Sequence, residues 1–205
     1  MRGWGKYLEA CWLSDVDKIF VATEFHKNLI IKNSIISNNE KIIVTGIPFY
    51  CDDLRAKYYN SKKEDIIVFP HRLEIEKHPE IFDELVNWLK SKNINFKAVK
   101  TIEATNSREE YFNLIAKSKV MVSFADQETF GYSTVECMAL GNIVVVPNKL
   151  SYTETVPDQY RYSTKKEAFD MVYNAFINYK EPIYYNLDKW SLSIKNMIKE
   201  MFSFN

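Results

Sequence analysis

The stretch "KVMVSFADQETFGYSTVECMALGNIVVVP", Lys119 to Pro147, decides how the whole chain is read. It opens with "KVMVSFA", an apolar run of the kind carried by a strand buried on both faces. "STVECMALG" follows with helical spacing and ends at Gly141, a residue suited to the left-handed turn that stops helices. "NIVVVP" is again a buried-type strand. Strand, helix and strand in succession imply a parallel pair joined by a helical crossover.

The same alternation extends on both sides. Upstream, "KIFVAT" is a short strand, "EFHKNLIIK" a helix, and "KIIVTGIPF" an extended piece ending in a Gly-Ile-Pro turn. "CDDLRAKYYNSKKED" is polar, without a clean period, and reads as a linker or hinge. A fresh series then starts with the strand "DIIVFP". The helix "HPEIFDELVNWLKSK" has Pro79 in its first turn and Ile81, Leu85, Trp88 and Leu89 on one face. The strand "NFKAVKTI" and the helix "SREEYFNLIAKS" lead back to Lys119. Downstream, "KKEAFDMVYNAFINY" and "LDKWSLSIKNMIKEMF" are two further helices. The expected fold class is α/β, a Rossmann-like parallel sheet with helices on both faces.

Composition narrows the class of function. A 46% hydrophobic and 15% aromatic chain of 205 residues can bury a full core, which argues against disorder. The formal net charge is zero, so no global field draws the protein to nucleic acid, and only a local basic patch could do so. Cys11, Cys51 and Cys137 share no metal-ligand spacing, and His26, His71 and His78 make no paired motif. No apolar run approaches the roughly 18 residues that span a bilayer, and no signal-peptide pattern opens the chain. These features predict a soluble, cytoplasmic protein without a membrane partner. Lysine far outnumbers arginine, a bias expected of an AT-rich genome, and it singles out the few arginines for inspection.

Open parallel sheets hold ligands beyond the carboxyl ends of their strands, where strand order reverses. The loops after Pro70, Ile102 and Ala125 are therefore the candidates. In the first, "FPHRLEIEKHPE", Arg72 and Lys77 lie between a strand end and a helix start, where anions are favoured. A planar guanidinium and a point-like ammonium suit a diphosphate, although both could equally be solvated charges partnered by Glu74 and Glu76. In the third, Gly131 permits a tight turn, and the amides of Gly131, Tyr132 and Ser133 can cup phosphate oxygens. Glu128 and Glu136 flank that cup. Two acids beside an anion site are costly unless each accepts hydrogen bonds, and sugar hydroxyls are natural donors. The plain alternative makes Glu136 a first-turn acid favoured by the helix dipole and Glu128 a loop charge. Elsewhere, Asp15-Val-Asp17 matches a metal-diphosphate motif but sits just before the strand "KIFVAT", and no metal is expected there. His71 is either a ligand contact or a packed side chain. Tyr160 to Tyr162 suit a sheet edge better than a base-stacking surface, and Cys137 suits a small buried position.

Taken together, "ETFGYSTVECMALGNIVVVP" resembles the donor-site signature of retaining glycosyltransferases of the two-Rossmann-domain, GT-B architecture. "FPHRLEIEKHPEIFDELVNWL" resembles the loop of that family in which an arginine and a lysine hold the donor diphosphate. "PHRLEIEKHPE" and "LSYTETVPDQYRY" are similar to segments of the tRNA-queuosine mannosyltransferase group. The resemblance runs from about Ile66 to Tyr162, and the Trp190 helix resembles one that crosses back to the N-terminal domain. It implies that Arg72 and Lys77 neutralise the diphosphate, that Glu128 binds the transferred sugar and Glu136 the ribose. His71 and Phe130, Gly131, Tyr132, Ser133 and Thr134 would complete the donor site. No cofactor is implied, since the nucleotide sugar is a co-substrate.

The implied organisation is a remnant of an N-terminal domain with the hinge (1–50), a linker (51–64), a donor-binding domain (65–187) and a crossover helix (188–205). Most of the family's acceptor domain is not matched, and the step between "NFKAVKTI" and "SREEYF" is short, which leaves residues Ile102 to Asn106 to line a base pocket. The implied partners are a nucleotide sugar and a nucleic-acid acceptor, either tRNA or a modified DNA base of phage type. An apolar edge near Trp4, Trp12 and Phe20 suits self-association or a partner chain with the unmatched domain. The competing reading is a non-catalytic nucleotide-sugar-binding module that needs such a partner.

Overall fold

The computed structural model describes residues 15–33, 39–179, 183–191 and 193–203; Trp4, Cys11 and Trp12 lie outside them. The chain divides into two compact units, 1–49 with 188–205, and 50–187.

In the first unit, β1 (Ile19–Val21) and β2 (Ile42–Val44) pair in parallel, with α1 (Glu24–Asn33) as the connection between them. Ile19, Val21 and Ile42 are buried beneath Ile30 and Ile31 of α1. The Lys18 ammonium bonds the carbonyl of Glu200 and the Ser203 hydroxyl (3.1 Å), joining β1 to the C-terminal helix Ser193–Phe202.

The second unit holds β3 (Glu64–Phe69), β4 (Lys97–Lys100), β5 (Ser118–Val122), β6 (Ile143–Pro147) and β7 (Arg161–Tyr162). They form one parallel sheet in the order β4-β3-β5-β6-β7. Its helices of eight or more residues are α2 (Cys51–Tyr58), α3 (Pro79–Lys90), α4 (Arg108–Lys117), α5 (Tyr132–Ala139) and α6 (Lys165–Ile177). Ile67, Phe69, Val120, Val122 and Val145 meet Phe82, Leu85 and Leu89 of α3 and Ala168 and Val172 of α6. The alternate strand residues Val68, Met121, Val144 and Val146 are equally buried, on the opposite face, as a period of two requires. There α4 and α5 pack on the sheet and α2 on both. Burial on both faces explains why the strands read as continuous apolar runs. Among the described residues, no helix is long and apolar enough to cross a membrane.

Helix boundaries follow local chemistry. Ser107 accepts the Glu110 amide and Thr164 the Glu167 amide, each at 3.1 Å, as N-caps. On α3, Leu85 and Leu89 of the predicted face are wholly buried, Phe82, outside that face, is buried with them, and Ile81 and Trp88 are only partly buried beside them.

The segment 51–64, expected as a linker, differs most. It forms α2 and packs within the second unit. Cys51 and Tyr58, two turns apart, are buried. Arg55 donates to the carbonyls of Ala139 (3.2 Å) and Tyr185 and lies 4.3 Å from the Tyr184 ring centroid. Lys63 donates to Leu140 O at 2.7 Å. Gly141, at φ +77°, ends α5, and these two cations take the carbonyls of its last turn. Apolar periodicity is silent here because the segment docks through cations. Arg55→Ala is expected to lower the unfolding free energy by about 1.5–3 kcal/mol, the range for hydrogen bonds to charged groups. Arg55→Lys should recover less than half, because an ammonium cannot serve the acceptors and the ring as a planar fork does. Urea midpoints of the three proteins measure this; coincident midpoints would restore the linker reading.

Candidate functional site

Strand order reverses at β3. The chain runs from β3 outward to β4, then returns to the other edge of β3 as β5. The loops leaving β3 and β5 therefore part across a crevice, the usual ligand position in open parallel sheets. At their crossing they are stitched by the Asp126 amide, which donates to Glu76 O at 2.8 Å.

Lys77 ends a short 3-10 turn, Ile75–Lys77, and is 7% exposed. Its ammonium donates to the Gln127 carbonyl and stands 3.3 Å from Glu128 Oε2. The other carboxylate oxygen of Glu128 accepts the Thr129 amide at 3.1 Å. The predicted cation and the predicted sugar-binding acid thus meet, one from each loop. Arg72 stays at the rim, its side chain two-thirds exposed and paired with Glu76 at 3.2 Å.

The turn into α5 is built for close approach. Gly131 has φ +89°, and a β-carbon there would stand 3.2 Å from Tyr152 Cε1. Tyr152 is wholly buried and shares a 2.9 Å hydrogen bond with Ser123 Oγ, so the segment after β6 props the turn from below. Phe130 is buried and meets Tyr132 edge to face. The first bond inside the helix runs from the Val135 amide to Gly131 O (3.0 Å), so the amides of Ser133 and Thr134 have no acceptor within α5.

One turn further, Glu136 is 2% exposed. Arg108 donates to its Oε1 and the Tyr111 hydroxyl to its Oε2 at 2.9 Å. Burial raises the Glu136 pKa, against the opposing pull of Arg108 and then Tyr111. The Arg108 guanidinium lies 4.6 Å from the Phe112 ring centroid, with most of its surface open. His71 is buried edge-on against Phe69, and among the described residues its Nε2 has no hydrogen-bond partner. Burial first, and then the Lys77 charge, push its pKa down to about 3, so the ring is neutral at physiological pH.

These groups enclose a cavity of about 390 Å³ lined by His71, Arg72, Lys77, Glu128, Tyr132, Ser133 and Glu136, together with Pro70, Arg108 and Tyr111. Seven of the predicted residues thus converge. Phe130, Gly131 and Thr134 do not line the cavity; they shape the turn beneath it. Ile102 to Asn106, expected along a base pocket, are absent from this lining, and Arg108 and Tyr111 of α4 stand there instead. Sequence reasoning missed both. The scarcity of arginine was the available signal, and the three-residue spacing on a capped helix puts them on one face. Asp15 and Asp17 are exposed, and among the described residues no three His, Cys, Asp or Glu side chains are grouped to hold a metal.

No protein-family model matches the chain. Over 131 residues it is 25% identical to the tRNA-queuosine alpha-mannosyltransferase of Drosophila melanogaster, a match covering 53% of this chain and 35% of that protein. The matched part therefore spans about a third of that relative's length. Among solved structures, HepE of Anabaena in complex with UDP and glucose superposes with a TM-score of 0.71 at 10% identity, covering 100% of this chain and 68% of that one. A glycosyltransferase from Rickettsia africae gives 0.64 at 16% identity, covering 100% and 69%. Sucrose-phosphate synthase from Thermosynechococcus elongatus gives 0.68 at 13% identity, covering 97% and 61%. The fold is that of GT-B glycosyltransferases.

Arg108→Ala is expected to cost about 1–2 kcal/mol, because the buried Glu136 keeps Tyr111 but loses a charged donor that is itself largely solvated. The same change should raise the Glu136 pKa further, readable by carboxyl-carbon NMR titration. An unmoved titration would show that Arg108 does not hold the carboxylate.

Proposed function

We propose that this cavity is the donor site of a retaining glycosyltransferase that uses a nucleoside-diphosphate sugar. The observation that carries the reading is the meeting of Lys77 and Glu128 at the β3–β5 crevice, in a cavity also lined by a buried carboxylate, Glu136. Lys77 and the rim guanidinium of Arg72 neutralise the diphosphate as it departs, a task of charge and position rather than covalent chemistry. Glu128 receives hydroxyls of the transferred sugar. Glu136 receives the ribose diol: a carboxylate has about four lone-pair positions, and Arg108 and Tyr111 use two. Neutral His71 offers a ring nitrogen to the ligand and is no proton donor at physiological pH.

In the transfer, the bond from the anomeric carbon to the diphosphate oxygen breaks. The acceptor oxygen bonds that carbon on the same face, and its proton passes to the departing phosphate. We infer a nucleic-acid nucleoside, in tRNA or modified DNA, as the acceptor. That inference rests on the likeness to the tRNA-queuosine mannosyltransferase alone.

Calorimetry and thermal shift with UDP-glucose, UDP-N-acetylglucosamine, GDP-mannose and ADP-glucose test the reading. One donor should raise the melting temperature of the wild type. Glu136→Ala should weaken it by about 10- to 100-fold, as expected for lost charge-assisted hydrogen bonds. His71→Leu should weaken it about tenfold while leaving ligand-free stability within about 1 kcal/mol, because an unpartnered buried nitrogen is removed. If no nucleotide sugar stabilises the wild type, the donor-site assignment fails. Binding without hydrolysis or transfer, restored by a second polypeptide, would favour the non-catalytic module.

A further inference from the structure

Immediately after Lys77 the backbone takes an unusual step. His78 sits at φ 55°, ψ 56°, left-handed for a residue with a β-carbon, and caps α3 ahead of Pro79. Its ring lies between two carboxylates. Nδ1 is 2.7 Å from Glu80 Oε1, and Nε2 is 2.7 Å from Asp126 Oδ2. A neutral imidazole has one donor and one lone pair, so it can satisfy only one of these acceptors; both contacts together require the imidazolium. Glu80 belongs to α3, whereas Asp126 belongs to the loop after β5, two residues before Glu128. The second oxygen of Asp126 is held by Lys149, from the loop after β6. The remaining charged neighbour around this ring is Lys165 at the start of α6, already paired with Glu84 at 2.6 Å. Lys77 faces the other way, into the donor cavity.

We propose that His78 is a positioning residue, a protonated strap that fastens the β3–α3 loop to the β5–α5 loop and so holds Lys77 against Glu128. Among the described residues, three successive residues of one loop bond across to the other: Glu76 O accepts from Asp126 N–H, Lys77 donates to Gln127 O and Glu128, and His78 meets Asp126. Only the last contains a group that changes charge near neutral pH. The hydrogen bonds to Asp126 and then Glu80 raise the His78 pKa. The sign follows: a raised histidine stabilises the strapped state fully below its unfolded value, near 6.5, and the contribution disappears as pH rises through the raised value. The strap therefore holds the donor cavity fully below about pH 6.5 and loosens as pH rises through the raised His78 value. The effect on a diphosphate ligand rests on the donor-site reading; the strap itself does not.

The test uses the full chain between pH 6 and 8.5. Histidine-ring NMR should show His78 protonated on both nitrogens at pH 7. Amide exchange at Asp126, corrected for intrinsic rate, should accelerate at least about threefold across the His78 titration, as local opening costs less once a contact between the loops is lost. His78→Asn keeps a residue tolerant of the left-handed region and removes the titration, so its exchange should lack this step. Asp126→Asn, which removes the larger of the two raising carboxylates while Glu80 still accepts from Nδ1, should lower the ring's pKa without returning it to the ordinary value, and serves if the first variant does not fold. The affinity of UDP-glucose, whose diphosphate does not titrate in this range, should fall by a similar factor in wild type alone. A neutral His78 at pH 7, or an identical exchange profile in wild type and variants, overturns the proposal. Failure of every nucleotide sugar to bind counts against the donor-site reading, while ring NMR and amide exchange still decide the strap.

Discussion

The hydrogen bonding of β3 along both of its edges is the constraint on which the second unit rests. Once β4 occupies one edge, β5 must come back to the other, and the connections leaving β3 and β5 are forced apart. No residue in either loop is needed to create the crevice; sheet topology does it. The loops then need only carry suitable groups to that place. Proline at the end of the first strand stops the pairing, and a left-handed histidine turns the chain into α3. The second loop turns at Gly131, where the Tyr152 ring allows no larger residue without movement.

This division of labour explains what was legible in the sequence. The strands were legible because burial on two faces leaves uninterrupted apolar runs, and Gly141, Ser107 and Pro79 punctuated the helices as their chemistry requires. The acids and the lysine of the cavity were legible because they lie on the loops that follow those strands. What escaped was contact between distant polar groups. Arg108 and Tyr111 read as ordinary surface residues of α4, and only the packing of that helix beside α5 brings them to Glu136. Phe82 escaped because the buried stripe of α3 is wider than the four positions read from the spacing, and Phe82 lies one turn before Leu85 on its other margin. The segment 51–64 escaped for the opposite reason: cations dock it.

Electrostatically, the cavity is self-balanced. Arg72, Lys77 and Arg108 face Glu128, Glu136 and the rim acid Glu76, in keeping with a chain of zero formal charge. Such a balance lets buried ions exist without a ligand, since each has a partner of opposite sign. An incoming anion then exchanges partners instead of filling a bare positive hole. Selectivity comes from geometry, because hydroxyl donors must find the acids at the same time as phosphate oxygens find the bases.

The two cations at the far end of α5 have an electrical consequence. An eight-residue helix is about 12 Å long, so its opposite partial charges lie close together and largely cancel each other's field at a distance. Arg55 and Lys63 sit on the negative end. Burial brings the Lys63 pKa down to about 8, so it is charged in neutral water and neutral in stronger base. Two unit charges outweigh a pole of about half a charge, so the far end of α5 no longer subtracts from the positive potential at Gly131 to Ser133. Two side chains in a segment without apolar pattern thereby extend the reach of a helix barely two turns long.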